Sequence, residues 1–220
     1  MNNRAFVKDC IVQKVESNSM LNFMKRIILL PLLWAVFALP AAAEKLSLNE
    51  ISAYLNSFQT ASGAFTQLNA DGTIANGKVM IKRPGRARFE YEPPTKSLVI
   101  AGGGQVAIFD GKSNSNPSQY PLRRTPLNII LERNVNLGRA KMVVGHTFDG
   151  TATTVVAQDP ENPQYGNIQL LFTANPVELR QWVITDENGF ETKVILRDLE
   201  TGVDIGARPF SIVVEAENWN

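Results

Sequence analysis

The chain has 220 residues, with 22 Lys and Arg against 21 Asp and Glu, one histidine and one cysteine. Near-neutral charge without a basic stripe argues against nucleic acid as a partner, and a single cysteine excludes a disulfide framework. A metal centre would have to be built around one histidine from carboxylates, and no ligand spacing for one is present.

Residues 24–43, MKRIILLPLLWAVFALPAAA, combine a basic start at Lys25 and Arg26, an apolar run from Ile27 to Leu39, and an Ala41-Ala42-Ala43 end. That is the layout of a secretory signal peptide, with Met24 as the start and cleavage near Ala43-Glu44. The run is shorter than the ~20 apolar residues a spanning helix needs, and Pro31 and Pro40 interrupt it. On this reading residues 1–23 are an upstream extension outside the true protein, and Cys10, ahead of the apolar run, is not a lipidated cysteine. The expected exported chain is one domain over 44–220, with 17 basic and 19 acidic residues and no cysteine. Export without disulfides suits a bacterial periplasm.

The domain opens with a predicted helix. Ser47 and Glu50 form an S-x-x-E capping box, and Leu48, Ile51, Leu55 and Phe58 follow at helical spacing, with an expected stop near Ser62-Gly63. Strands dominate from there. Asp-Gly at 71–72, 110–111 and 149–150 and Asn-Gly at 76–77 and 188–189 predict hairpins, because type I′ turns need positive φ at both central residues. About ten strand-like runs, the last being FSIVVEAE (210–217), predict a large curved antiparallel sheet or barrel. In GKVMIKR (77–83), two-residue spacing puts Val79, Ile81 and Arg83 on one face. In ARFEYE (87–92), Phe89 and Tyr91 alternate with Arg88, Glu90 and Glu92. One helical segment interrupts the strands: TPLNIILERN (125–134), with Thr125 as N-cap, Pro126 at the first helical position, and Leu127, Ile130 and Leu131 as an apolar stripe.

Catalytic groups do not converge. His146, in VVGHTFDG, reads as a solvated or hydrogen-bonded strand histidine, and there is no G-x-S-x-G elbow. The glycines of AGGGQ (101–105) precede no helix that would aim N–H groups at a phosphate, so a turn between strands is expected. The sequence gives no reason to expect an enzyme, a metal or a cofactor.

The segments FQTASGAFTQ (58–67), GKVMIKRP (77–84), RFEYEPP (88–94), LVIAGGGQVAIFD (98–110) and TPLNIILERN follow an export signal in that order. Together they resemble the periplasmic outer-membrane lipoprotein carrier (LolA-like) family. LRQWVITDENGFETKVILRDLETG and ARPFSIV extend the resemblance loosely toward the end. It implies a mainly β fold with a helical lid: an incomplete, strongly curved antiparallel β-barrel enclosing an apolar cavity covered by short helices. It also implies a monomeric carrier, without cofactor, that takes acylated lipoproteins from an inner-membrane ABC-type transporter. Delivery would be to an outer-membrane acceptor or to the outer membrane directly.

Within that resemblance, Arg83 is the arginine of the K-R-P motif, expected inside the barrel and bonded to lid backbone as a latch. On the residues alone, a surface arginine paired with Glu90 or Glu132 is the alternative. Val79, Ile81, Phe89, Tyr91, Leu127, Ile130 and Leu131 are the candidate cavity residues, and each also fits an ordinary core. The chain departs from the family's pattern at Ala87 and Phe89, where a large apolar residue and a tryptophan are common. It also ends at EAENWN, without the extra C-terminal loop and strand of some carriers, which leaves Trp219 for membrane contact. The same fold also serves lipid-binding and envelope-sensing modules, so fold alone does not fix function.

Overall fold

The computed structural model describes residues 44–112, 115–125 and 127–219. The signal-peptide segment, the extension before it, Cys10 and Pro126 lie outside the described residues.

Helix α1 spans Leu48–Asn56, and its capping box forms as the sequence predicts: the Ser47 side chain accepts from Glu50 N–H, and the Glu50 carboxylate accepts from Ser47 N–H. The helix ends at Asn56, earlier than expected. Ser62 and Gly63 already belong to β1 (Thr60–Leu68), where Gly63 lets the backbone of Arg197, Asp198 and Leu199 approach closely. Strands β2 (Ile74–Lys82), β3 (Arg86–Tyr91), β4 (Leu98–Gly102), β5 (Gln105–Phe109) and β6 (Ser118–Pro121) follow as a meander. A 3₁₀ turn at Leu122–Arg124 leads into the short helix α2, Leu127–Leu131. A second meander comprises β7 (Val143–Phe148), β8 (Ala152–Gln158), β9 (Asn167–Thr173), β10 (Glu178–Thr185) and β11 (Glu191–Thr201).

β1 pairs with both β2 and β11, which joins the meanders into one 11-stranded antiparallel sheet ordered β6-β5-β4-β3-β2-β1-β11-β10-β9-β8-β7. β6 and β7 remain as edges, so the sheet curls without closing into a full barrel. Bulges at Ser62/Ala64, Leu179/Gln181 and Val143/Gly145 supply local bending. The main core lies on the concave face, where α1, α2 and the segment to Leu137 pack on Phe65, Val79, Val155, Leu170 and Phe172.

Two local expectations are corrected. Asn76-Gly77 is not a turn: both residues sit inside β2, paired with Thr66 and Phe65. A Cβ at Gly77 would lie 2.6 Å from the Phe65 ring and 2.3 Å from the Glu90 carbonyl, so the glycine makes room rather than a turn. FSIVVEAE is not a strand. Arg208–Phe210 is a 3₁₀ turn and Ile212–Asn218 is helix α3, capped by the Ser211 hydroxyl accepting from Val214 N–H. Ile212, Ala216 and Trp219 fall at i, i+4 and i+7, and that stripe covers a second apolar cluster of Leu98, Ile100, Ala107 and Phe109 on the convex face. Trp219, half-buried, packs on Phe109 with ring centroids 5.0 Å apart.

Candidate functional site

Alternation along β2 buries Ala75, Gly77, Val79 and Ile81 on the concave face, and the next position in that series is Arg83, only 4% exposed. Its guanidinium makes four hydrogen bonds. Nε donates to the Glu132 carbonyl at 2.9 Å and Nη1 to the Phe58 carbonyl at 3.3 Å. Nη2 donates to the Arg133 carbonyl at 3.2 Å and to Asn56 Oδ1 at 3.0 Å. The carbonyls of Glu132 and Arg133 follow the end of α2, and that of Phe58 follows the end of α1. Helix ends leave such carbonyls unpaired and negatively polarised, so one planar cation with five donors suits both. Burial pushes the Arg83 pKa down from its ordinary value, and the nearby Glu132 charge opposes that. Neither surface pairing considered for Arg83 forms: Glu132 offers its backbone oxygen, and Glu90 bonds Arg88 at 3.2 Å.

Asn56 and Ser52 extend this network, and sequence reasoning did not single them out. Asn56 Nδ2 donates to the Val135 carbonyl at 2.8 Å, and its Oδ1 accepts the Val135 N–H at 2.9 Å. The buried Ser52 hydroxyl accepts the Leu137 N–H at 3.0 Å. Side chains on α1 thus pair like a strand with the segment leaving α2. Gly85, in the β2–β3 turn, donates its N–H to the Leu131 carbonyl at 2.8 Å. The Thr125 hydroxyl donates to the Leu122 carbonyl at 2.8 Å, and the Thr125 carbonyl accepts from Asn128 N–H at 3.0 Å. His146, in β7, is hydrogen-bonded to the segment before α1, its Nε2 lying 2.8 Å from the Leu46 carbonyl.

An apolar cavity of about 320 Å³ lies on the concave face, away from Arg83 along the strands. Phe89, Tyr91, Val99, Trp182, Ile184 and Val194 form most of its wall, and Leu127 and Thr125 border it from the lid. Phe65, Phe89, Tyr91 and Trp182 pack edge-to-face with centroids 5.0–5.9 Å apart, a geometry favoured by the ring quadrupole. The one phenol in the wall is satisfied: Tyr91 O–H donates to Gln67 Oε1 at 2.6 Å. Burial pushes its pKa up to about 12.

Of the seven candidate cavity residues, Phe89, Tyr91 and Leu127 border this space. Val79, Ile81, Ile130 and Leu131 are packed in the core under the lid and do not border it. Ile129, not singled out from the sequence, is buried beside Ile130.

The family model described as "Outer membrane lipoprotein carrier protein LolA" matches residues 56–213. An outer-membrane lipoprotein carrier protein of Cupriavidus necator is 24% identical over 191 residues, 82% of this chain and 90% of that protein. One of Coxiella burnetii is 33% identical over 93 residues, 40% of this chain, and the match spans only 44% of that relative's length. A solved LolA superfamily structure from Nitrosomonas europaea aligns over 76% of this chain and 98% of its own, at 11% identity and a TM-score of 0.40. With the family model matched from residue 56 to residue 213, the chain belongs to the outer membrane lipoprotein carrier protein LolA family.

Proposed function

We propose that this protein is a periplasmic carrier that shields the acyl chains of lipoproteins released from the inner membrane and delivers them to the outer membrane. Residues 24–43 export it, with cleavage near Ala43-Glu44. An inner-membrane ABC-type transporter loads it, and an outer-membrane acceptor or the membrane itself receives the cargo. The observation that carries the reading is an apolar cavity beneath a lid that is tied to the barrel by the buried polar hub at Arg83.

Burying acyl chains is worth about 0.8 kcal/mol per methylene, so three chains of roughly fifteen methylenes represent on the order of 36 kcal/mol gross. Such cargo needs an enclosure. At about 320 Å³ the cavity lies at the low end of the roughly 300–1,000 Å³ that pockets for one small ligand occupy, well short of three acyl chains. Loading of such cargo therefore requires the lid to move. Acyl chains gain most beneath the lid, where Ile129, Ile130 and Leu131 cover the barrel's apolar face. Arg83 acts there as the latch that holds the empty protein shut.

The test uses cells carrying palmitate-labelled lipoproteins and stripped of their outer membrane. The processed protein is added and soluble label is counted. Release of label in complex with the protein is expected. If a known carrier releases label from the same cells and this folded protein does not, the reading fails in favour of a lipid-binding or envelope-sensing module.

A further inference from the structure

The lid carries a charge pattern that neither the cavity nor the latch uses. Between positions 123 and 141 stand Arg123, Arg124, Arg133, Arg139 and Lys141 against the single acid Glu132, a net charge of +4. The other residues of 44–220 hold 12 basic and 18 acidic side chains, a net charge of −6. Charge is thus separated between lid and body, although the two nearly cancel. Spread over 19 positions, the cations form no stripe in the sequence, which is why no basic partner surface was expected from it.

All five cations are exposed, and none forms an ion pair among the described residues. Asp159 lies within electrostatic reach of Arg124, and Glu132 spends its side chain on Asn128 Nδ2 at 3.3 Å. The segment exposes no large apolar residue among those described, so it has no anchor to insert. The cations stand in a 3₁₀ turn, just past a helix and around the turn at 137–141. Arg139 and Lys141 border one pocket together with Glu132, and Arg123, Arg124 and Arg133 do not border it, so the five do not converge on one anion.

We propose that the lid is an electrostatic docking face for an anionic bilayer surface. Dispersed, exposed cations without ion-pair partners or an apolar anchor suit a continuous sheet of anionic headgroups, where each cation contributes separately. An acidic protein would instead need matched geometry. The contact acts on the segment whose Glu132 and Arg133 carbonyls hold Arg83, so lid and latch meet the membrane together. The docking stands independently of the carrier reading, which supplies only its use.

The test is co-sedimentation of the processed protein with phosphatidylglycerol/phosphatidylethanolamine vesicles and with phosphatidylcholine vesicles, over a range of salt. Binding is expected only to the anionic vesicles and should fall as salt rises. The R123Q/R124Q/R139Q/K141Q variant should lose roughly fivefold in partitioning per cation, several hundredfold in all. A control with four exposed body cations neutralised, K78Q/K112Q/R197Q/R208Q, should bind as well as the parent or better. No binding by the parent, salt-insensitive binding, or equal loss in both variants would overturn the proposal. Retention on polyglutamate beads without vesicle binding would also overturn it and assign the face to an acidic polypeptide.

Discussion

Arg83 and Val135 meet on one atom: the side-chain oxygen of Asn56 accepts from Arg83 Nη2 at 3.0 Å and from Val135 N–H at 2.9 Å. The amide nitrogen of the same side chain donates to the Val135 carbonyl at 2.8 Å. A barrel residue, the first helix and the segment after α2 are therefore tied through a single carboxamide. Loss of that group removes one of the four Arg83 bonds and both bonds of Val135 to α1. Among the described residues, the Ser52–Leu137 bond then remains as the hydrogen-bonded tie between α1 and the lid return.

Asn56→Leu removes all three bonds and leaves both backbone groups of Val135 without that partner. Each unsatisfied buried polar group costs about 1–3 kcal/mol, so with two such groups the closed lid should lose about 2–6 kcal/mol by the same accounting. Amide exchange at 129–137 should accelerate accordingly, while β8 and β9 keep the parent's protection. Unchanged exchange in the lid would refute the role given to Asn56. Asn56→Asp keeps the acceptor for Arg83 and loses only the donor to Val135, so it should fall between parent and leucine variant.

Arg83 is expected to resist conservative replacement. Lysine keeps the charge but offers three donors from one atom, whereas the guanidinium spreads its donors over four acceptors in a plane. Lid closure in the empty protein should therefore rank Arg above Lys above Leu, with Arg83→Leu costing about 2–5 kcal/mol of closure. Binding of an apolar fluorescent dye should rise in that order. Equal dye binding by all three would mean that apolar packing alone holds the lid.

The period-two face running from Val79 through Ile81 to Arg83 was legible because alternation and burial agree along β2. The capping box at Ser47 was legible because both partners lie within one helical turn. Asn56 was not, since its partner Val135 is 79 residues away and an asparagine at a helix end reads locally as a cap. Helix α3 was hidden by its β-branched Ile212-Val213-Val214 start, and only tertiary contact with Phe109 and its neighbours decides it. Alternation also separates inner from outer faces without giving height along the strand. It therefore grouped Val79 and Ile81 with Phe89 and Tyr91, although only the latter pair borders the cavity.

Gly77→Ala tests the correction at Asn76-Gly77. The added methyl would sit 2.3 Å from the Glu90 carbonyl of β3, and backbone cannot swing away as a flexible side chain can. Overpacking of this kind costs typically about 1–3 kcal/mol, and a clash with paired backbone belongs at the upper end. A clear drop in melting temperature is expected, with displaced Phe65 and Tyr91 altering the cavity wall. An unchanged melting temperature would show that β2 can shift and that the glycine is not required for space.

Tyr91 gives the protein an alkaline limit. Burial raises its folded pKa to about 12, against about 10 in an unfolded chain. The folded state therefore holds the phenolic proton more tightly, and its contribution is complete below about pH 10. It is lost as pH rises from about 10 to about 12, because the unfolded chain ionises first and the buried phenol resists. Two units at about 1.4 kcal/mol each set an upper bound of about 3 kcal/mol. Tyr91→Phe removes this linkage along with the hydrogen bond to Gln67. The variant should be less stable than the parent at pH 8 and approach it by pH 12, as read by denaturant midpoints. Parallel stability curves for the two proteins across that range would show that Tyr91 ionises normally and that the cavity wall is wetter than its packing implies.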